Sequence, residues 1–417
     1  MSALDQAARW RAAAPRLSVI PQLEVGAALI CLLLYSQALL GKLFADPTQP
    51  DSGEALRLIW PPVYLLTLVL IAFRPIPVLR LAQKSWPILA LAGFAMASTA
   101  WSIDPDVTLR RSLAIVMNAI FALWLAARFS WPDLVRLIAA CFGVLAVGSA
   151  LAALGSPGFG VMQATHPGAW SGLWGEKNAL GGMMATGALS AIAASLFSRG
   201  REAWVWRGVA VFCALLVIMS TSRTAMMATL VGMGGPAMIA LARQGFGLAA
   251  FALAGGAMIV GALAAILITG PAAFLVAIGR DPTLTGRTDI WGPLLDVIAQ
   301  RPWTGYGYGA FWDVDNGPVF WVRAATAWDV PTAHNAWIET ALAIGWLGAG
   351  LAFFLYVKGY ATAASRLLAS RATYWTLPFL TVWGIVSFSE SNLLGQNAIS
   401  WVLLCMTLMK LSERAQP

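Results

Sequence analysis

The sequence predicts an all-α polytopic membrane protein of about twelve transmembrane helices, with residues 1–417 forming a single integral membrane domain. Three observations lead there. Hydrophobic residues make up 59% of the chain and charged residues only 11%, with a mean hydropathy of +0.72, which no ordinary soluble domain shows. The apolar residues gather in runs near the roughly 20 residues that a helix needs to cross the hydrocarbon core. The basic residues favour one side of these runs, as the positive-inside rule requires. That bias also accounts for the net charge of +8, so no nucleic-acid partner is implied, and the lipid bilayer is the main solvent.

In chain order the runs cover 22–41, 58–73, 87–101, 112–127, 137–155, 179–197, 208–221, 225–242, 246–269, 335–357, 374–388 and 393–409. Arg9, Arg11 and Arg16 precede the first run, and no small-residue cleavage site follows a short apolar core. A retained, cytoplasmic N-terminal anchor is therefore expected, not a signal peptide. An even number of spans returns Lys410 and Arg414 to the same side, so both termini are expected in the cytoplasm. Cys31, Cys141, Cys213 and Cys405 all lie in apolar runs, where a thiol acts as a small hydrophobe. Neither disulfide nor metal spacing emerges, and the two histidines, His166 and His334, are too far apart in sequence to suggest a zinc site.

One connection is long. Residues 270–334 carry many Gly, Pro, Trp and Asp and no spanning run, which predicts a large extracytoplasmic loop that folds on itself or caps a cavity. Within it, WGPLLDVIAQ predicts a short amphipathic helix starting near Pro293, with Leu294, Leu295, Val297 and Ile298 on its apolar side. Of the twenty tryptophans, several (Trp60, Trp86, Trp101, Trp131, Trp170, Trp174 and Trp337) sit near expected span ends, as an interfacial belt would place them. Trp170, Trp174, Trp303 and Trp312 are also candidates for stacking on sugar rings.

The chemistry-bearing residues fall on the expected outer side. Lys177 and Asn178 open the sixth run in GEKNALGG, Arg223 lies in STSRTA between the seventh and eighth, Arg287 in LTGRTDIW, and His334 and Asn335 open the tenth. Orientation alone would put basic residues on the other face, so another constraint holds them here. Arginine offers planar bidentate donors and lysine a compact charge, and three such cations around one cleft suit a diphosphate. An imidazole, with an ordinary pKa near 6.5, is the natural general base for a hydroxyl beside them. Plainer roles compete: Lys177 as a snorkelling side chain, Glu176 as its partner or a helix-start charge, Arg223 as a carbonyl cap, and Arg287 paired with Asp281 or Asp289.

In this order GEKNALGG, STSRTA, TGRTDIW, RPWTGYGYGAFW and HNAWIETALAIGWLG, with WSIDPDVTLRRS ahead of them, resemble the O-antigen ligase and polymerase superfamily. His334-Asn335, nine residues and Gly345 are similar to its histidine motif. The resemblance implies a GT-C-like arrangement of helices and a large periplasmic loop. It also implies metal- and cofactor-free transfer, with inversion, of a glycan from undecaprenyl diphosphate to an acceptor hydroxyl. Arg223 and Arg287 would bind the diphosphate, His334 would serve as base or orient the acceptor, and Lys177, Asn178 and Asn335 would contribute to donor or glycan binding. The motifs look most like exopolysaccharide-production polymerases, whose acceptor is another lipid-linked repeat unit. Ligases, which pass the glycan to lipid A core, share the same residues. Export or chain-length proteins are possible partners, and the expected location is a bacterial inner membrane with the site facing the periplasm.

A weakly basic diphosphate leaving group needs cations more than an acid, which suits this set. A retaining glycosidase would instead want two carboxylates about 5 Å apart, for which Glu176, Glu339 and Glu390 are candidates only in principle. A lipid-linked sugar transporter would put ionisable groups near the bilayer midplane and show repeated halves. A noncatalytic scaffold for polysaccharide export would not depend on His334.

Overall fold

The computed structural model describes residues 19–44, 54–245, a few positions between 247 and 258, and 287–313, 317–326 and 329–413. Among these residues the only β feature is an isolated bridge between Val161 and Trp170. The main helices are α1 (Val19–Tyr35), α2 (Glu54–Ala72), α3 (Pro75–Lys84), α4 (Trp86–Ala97), α5 (Pro105–Arg128), α6 (Trp131–Gly155) and α7 (Lys177–Phe197). They continue with α8 (Gly200–Met219), α9 (Arg223–Ala242), α10 (Arg287–Gln300), α11 (Pro318–Thr326), α12 (Ala336–Ser365), α13 (Thr373–Ser387) and α14 (Ile399–Leu411). Six of them, α5 to α9 and α12, are long and apolar enough to cross a membrane. The pair α2 and α3, bent by 101°, makes a seventh if read as one broken span. The protein is a multi-pass helical membrane protein.

Helices fall on all the expected runs except 246–269, which lies largely outside the described residues, as do the N-terminal anchor segment and residues 270–286. Several are shorter than the runs suggested. The first run stops at Tyr35, where Gln37 and Leu39 turn into the left-handed region (φ 56° and 66°). The Gln37 amide fixes that turn by donating to the carbonyls of Gln396 and Asn397 at 3.1 and 3.0 Å. Helix α14 has 13 residues, about 20 Å of rise against about 30 Å of hydrocarbon. Every residue in it but Ser400 is buried, so this short helix rests on protein rather than lipid.

Close approach rests on small residues, the usual currency of helix packing in lipid. A Cβ on Gly187 of α7 would lie 2.8 Å from the Cβ of Phe142 in α6. One on Gly181 would lie 2.7 Å from the Cβ of Ala225 in α9.

The bundle has two polar faces. On one, arginines and a lysine donate to carbonyls at helix C-termini, where the macrodipole is negative. Arg136 Nη2 reaches Phe197 O at 2.7 Å, Arg243 Nε reaches Leu367 O at 2.9 Å, and Lys410 Nζ reaches Ala126 O at 2.8 Å. On the same face Glu24, 3% exposed, accepts from Arg74 Nε at 2.7 Å and Arg128 Nε at 2.5 Å, tying α1 to the α2–α3 bend and to the end of α5. The opposite face carries the long connections and the sequence motifs.

There α12 is not continuous. Ile344 (φ −133°, ψ 21°) and Gly345 (φ 70°, ψ 178°) break it, the latter in a region essentially reserved for glycine. An unbroken helix would bond Trp346 N–H to Leu342 O. Instead the segment RPWTGYGYG inserts between them: Trp346 N donates to Pro302 O at 2.7 Å, Tyr306 N to Leu342 O at 2.8 Å and Gly307 N to Ala343 O at 3.0 Å. A Cβ on Gly345 would overlap the carbonyl of Trp303. Gly345→Ala is therefore expected to cost about 2 kcal/mol or more, from strained φ together with lost loop contacts. Lower thermal stability of the purified protein in detergent, with greater proteolysis between Arg301 and Asp313, would register it.

Candidate active site

Three of the sequence motifs form one piece of structure on this face. The turn before α5 docks on the inserted segment: Ile103 N donates to Tyr306 O at 3.0 Å, and Trp101 Nε1 to Thr304 O at 2.8 Å. Arg111 donates to Gly309 O at 2.5 Å and pairs with Asp313 at 2.8 Å. Gly307 (φ 98°) is required here, since a side chain would run into Ser102. Tyr308, whose hydroxyl donates to Leu394 O, is buried, and burial pushes its phenol upward, so it stays a protonated donor. The fragments WSIDPDVTLRRS, RPWTGYGYGAFW and HNAWIETALAIG are thus one scaffold.

That scaffold presents His334. The residue has a left-handed backbone (φ 48°) just before α12 and a side chain 27% exposed. Its Nδ1 lies 3.9 Å from Oε2 of Glu390, ion-pair range but too long for a hydrogen bond. Glu339 clamps the turn from below. Its Oε1 accepts from Trp312 Nε1 at 2.6 Å, while Oε2 accepts from Ala333 N at 2.8 Å and Ser391 Oγ at 3.4 Å. Asn335 is the N-cap of α12: its Oδ1 accepts from the backbone N–H groups of Trp337 and Ile338 at 3.0 and 3.2 Å, and the residue is buried. A cap worth about 1 kcal/mol accounts for it without a glycan contact.

Arg287 is the first residue of α10, one turn before Trp291, whose Nε1 donates to Ala333 O at 3.0 Å, next to His334. Helix α10 therefore begins one turn before the residue that meets the histidine turn. The helix starts earlier than Pro293 because its apolar stripe is Ile290, Leu294, Val297 and Ile298, each at most 5% exposed. Leu295, 45% exposed, points the other way.

Lys177 and Arg223 are the first residues of α7 and α9. Gly181 lets the Ser220–Ser222 turn close on the first turn of α7, so the two helix starts are neighbours. Helix α9 runs antiparallel to α13: Gly232 faces Val382, Gly235 faces Pro378, and Arg243 binds the start of α13. The Arg223 end of α9 therefore meets the end of α13, which leads into Glu390. Lys177, Arg223, Arg287 and His334 thus stand at helix starts on the face opposite the arginine-capped one. Arg223 and Asn178 are exposed and Lys177 is half-buried. Glu176 precedes α7 without a side-chain cap bond, and exposed His166 lies in the 156–176 connection.

Of the candidate sugar-stacking tryptophans, two have their indole N–H committed inside the protein. Trp174 donates to Ser36 O at 2.9 Å, and Trp312 to Glu339. Trp303 is 63% exposed. The roles of Glu390 and Glu339 were not legible in sequence, because each meets groups from segments tens of residues away, His334 for the first and Trp312 and Ser391 for the second.

An O-antigen ligase family model matches residues 208–353, a stretch that contains Arg223, Arg287, His334 and Gly345. The chain is also 26% identical over 367 residues to the exopolysaccharide production protein ExoQ of Rhizobium meliloti (strain 1021), covering 83% of this chain and 81% of that protein. The resemblance to the O-antigen ligase and polymerase superfamily is borne out. The matched stretch ends at Phe353, beyond the α12 break, so it includes both the histidine and the segment that replaces its missing helical bonds. It leaves out Lys177 and Asn178.

Glu339→Gln keeps the volume but turns an amide N–H₂ toward a donor, orphaning at least one hydrogen bond at about 1–3 kcal/mol. We expect product output to fall at least tenfold while membrane abundance stays within twofold of wild type. Immunoblots of membranes beside glycan gels would read both.

Proposed function

We propose that the protein is an inverting, metal-independent membrane glycosyltransferase that polymerises lipid-linked repeat units. In this reading it has twelve spans in a GT-C-like arrangement, with both termini in the cytoplasm and the motif face toward the periplasm. The observation that supports the reading is the gathering of three cationic helix starts, at Lys177, Arg223 and Arg287, on the face that presents His334.

The donor diphosphate is held at the membrane surface by Arg223 and Arg287, with Lys177 contributing charge. Backbone N–H groups at the starts of α7, α9 and α10 add positive dipole ends to the same region. The acceptor hydroxyl oxygen attacks the anomeric carbon from the face opposite the diphosphate. The carbon–oxygen bond to diphosphate breaks, undecaprenyl diphosphate departs as an anion, and His334 takes the hydroxyl proton. Glu390, on the Nδ1 side of the ring, favours the tautomer that leaves Nε2 to accept that proton and steadies the imidazolium that forms. The arginine guanidiniums are strongest where charge develops on the leaving oxygen. Glu339 holds the turn rather than touching substrate.

The polymerase branch is preferred over the ligase branch because the curated relative is an exopolysaccharide production protein aligned over most of both chains. The test is direct. Purified protein is given lipid-linked repeat units from a polymerase-deficient strain of the host, with and without lipid A core. Chain lengthening without lipid A is expected, and His334→Ala and Arg223→Ala should each lower it by about 100-fold or more. Transfer only to lipid A core would select the ligase, and undiminished lengthening in both variants would end the mechanism.

A further inference from the structure

A cleft of about 500 Å³ opens between α10 and α11, and its lining residues do not include the His334 turn. Its size is that of a small-molecule site, typically about 300–1,000 Å³. The floor is apolar, made by Val297 and Val322, which are 5% and 0% exposed. Asp296 and Gln300 line one wall, an i, i+4 pair on one face of α10, and both are exposed. The other wall carries Trp321, 70% exposed, with Phe320 packed edge-on at 5.3 Å.

The lining selects the ligand chemistry. A carboxylate with no lysine or arginine among the lining residues repels phosphate and other anions. Two polar side chains make it a poor seat for an acyl chain. A sugar ring suits it: the apolar C–H face lies on an indole, while hydroxyls donate to a carboxylate and exchange both kinds of bond with a carboxamide. Position agrees as well. Arg287 begins α10 at the proposed diphosphate end, and Asp296 and Gln300 lie nine and thirteen residues further on, about 14–20 Å along the axis.

Building on the glycosyltransferase reading, we propose that this cleft is a carbohydrate subsite. It holds uncharged sugar rings of the glycan remote from the reacting carbon, with Trp321 as stacking platform and Asp296 and Gln300 as hydroxyl partners. It would fix the register of the chain relative to the bond being made, and its binding energy does not depend on turnover.

The test is a binding titration on the full chain in lipid nanodiscs, using the repeat-unit oligosaccharide released from its carrier by mild acid. Wild type and Arg223→Ala should bind alike, because the released glycan has no diphosphate. Trp321→Leu and Asp296→Asn should each weaken binding about tenfold, the size of one charge-assisted hydrogen bond or stacking contact. Trp321→Tyr should stay within about threefold of wild type, since an aromatic face remains. No binding to wild type, or equal binding by Trp321→Leu and Asp296→Asn, would overturn the subsite. Equal binding by Trp321→Leu alone would show an apolar membrane anchor and overturn the stacking role of Trp321. Both surface substitutions leave the buried valines in place, so retained thermal stability is expected. Failure of the glycosyltransferase reading would show separately, as neither chain lengthening nor transfer to lipid A core by the wild-type protein.

Discussion

The hydrogen bond that α12 does not make, from Trp346 N–H to Leu342 O, organises the motif face of this protein. Breaking a helix at membrane depth leaves backbone donors and acceptors that lipid cannot satisfy, each at a cost of several kcal/mol. The Pro302–Gly307 segment supplies the missing partners, and Gly345 makes the approach possible by adopting φ 70° without a side chain. Once that segment is seated, its remaining groups bind the Ser98–Arg111 region and the 388–398 connection. The histidine turn then has little freedom left.

This arrangement separates two tasks that a catalytic surface must meet together. The scaffold is held by backbone bonds and by buried or half-buried polar groups such as Glu339, Tyr308 and Asn335. The residues proposed to carry the chemistry, His334, Arg223 and Lys177, stand at helix starts and turns, where they keep some access to solvent. Helix N-termini favour anions by their dipoles, so on this face the cationic side chains and the backbone dipoles act in the same sense, as the proposed diphosphate site requires. On the far face the logic is reversed. Arginines and Lys410 there meet helix C-termini, and the charge asymmetry that sets topology also caps the bundle.

The residues that could be read from sequence were the misfits. Arg223, Arg287 and Lys177 stood out because positive charge on the expected outer side runs against the orientation bias. His334 stood out as one of only two histidines. Asn335 was visible too, but its signal was ambiguous. An asparagine before an apolar helix is a cap signature, and the structure uses it so. Glu390 and Glu339 gave no such signal, because a carboxylate near a span end looks alike whether it faces lipid headgroups, water or an imidazole. The start of α10 was displaced for a similar reason: Pro293 is a common first helical residue, yet the apolar spacing already begins at Ile290.

By itself, the sequence determined that this is a helical membrane protein, where nearly every apolar run lies and which cations stand out at the run ends. Those properties follow from composition, from the length needed to cross a bilayer and from charge bias, all of which are local. Tertiary structure alone decided that α1 stops at Tyr35, that α14 is a short helix enclosed by its neighbours, and that α12 breaks to admit another segment. It also decided which motifs touch. These outcomes depend on whether a backbone group freed at one point finds its partner at another, and the partners of Leu342, Ala343 and Trp346 lie some 40 residues away in sequence, beyond the reach of any local pattern.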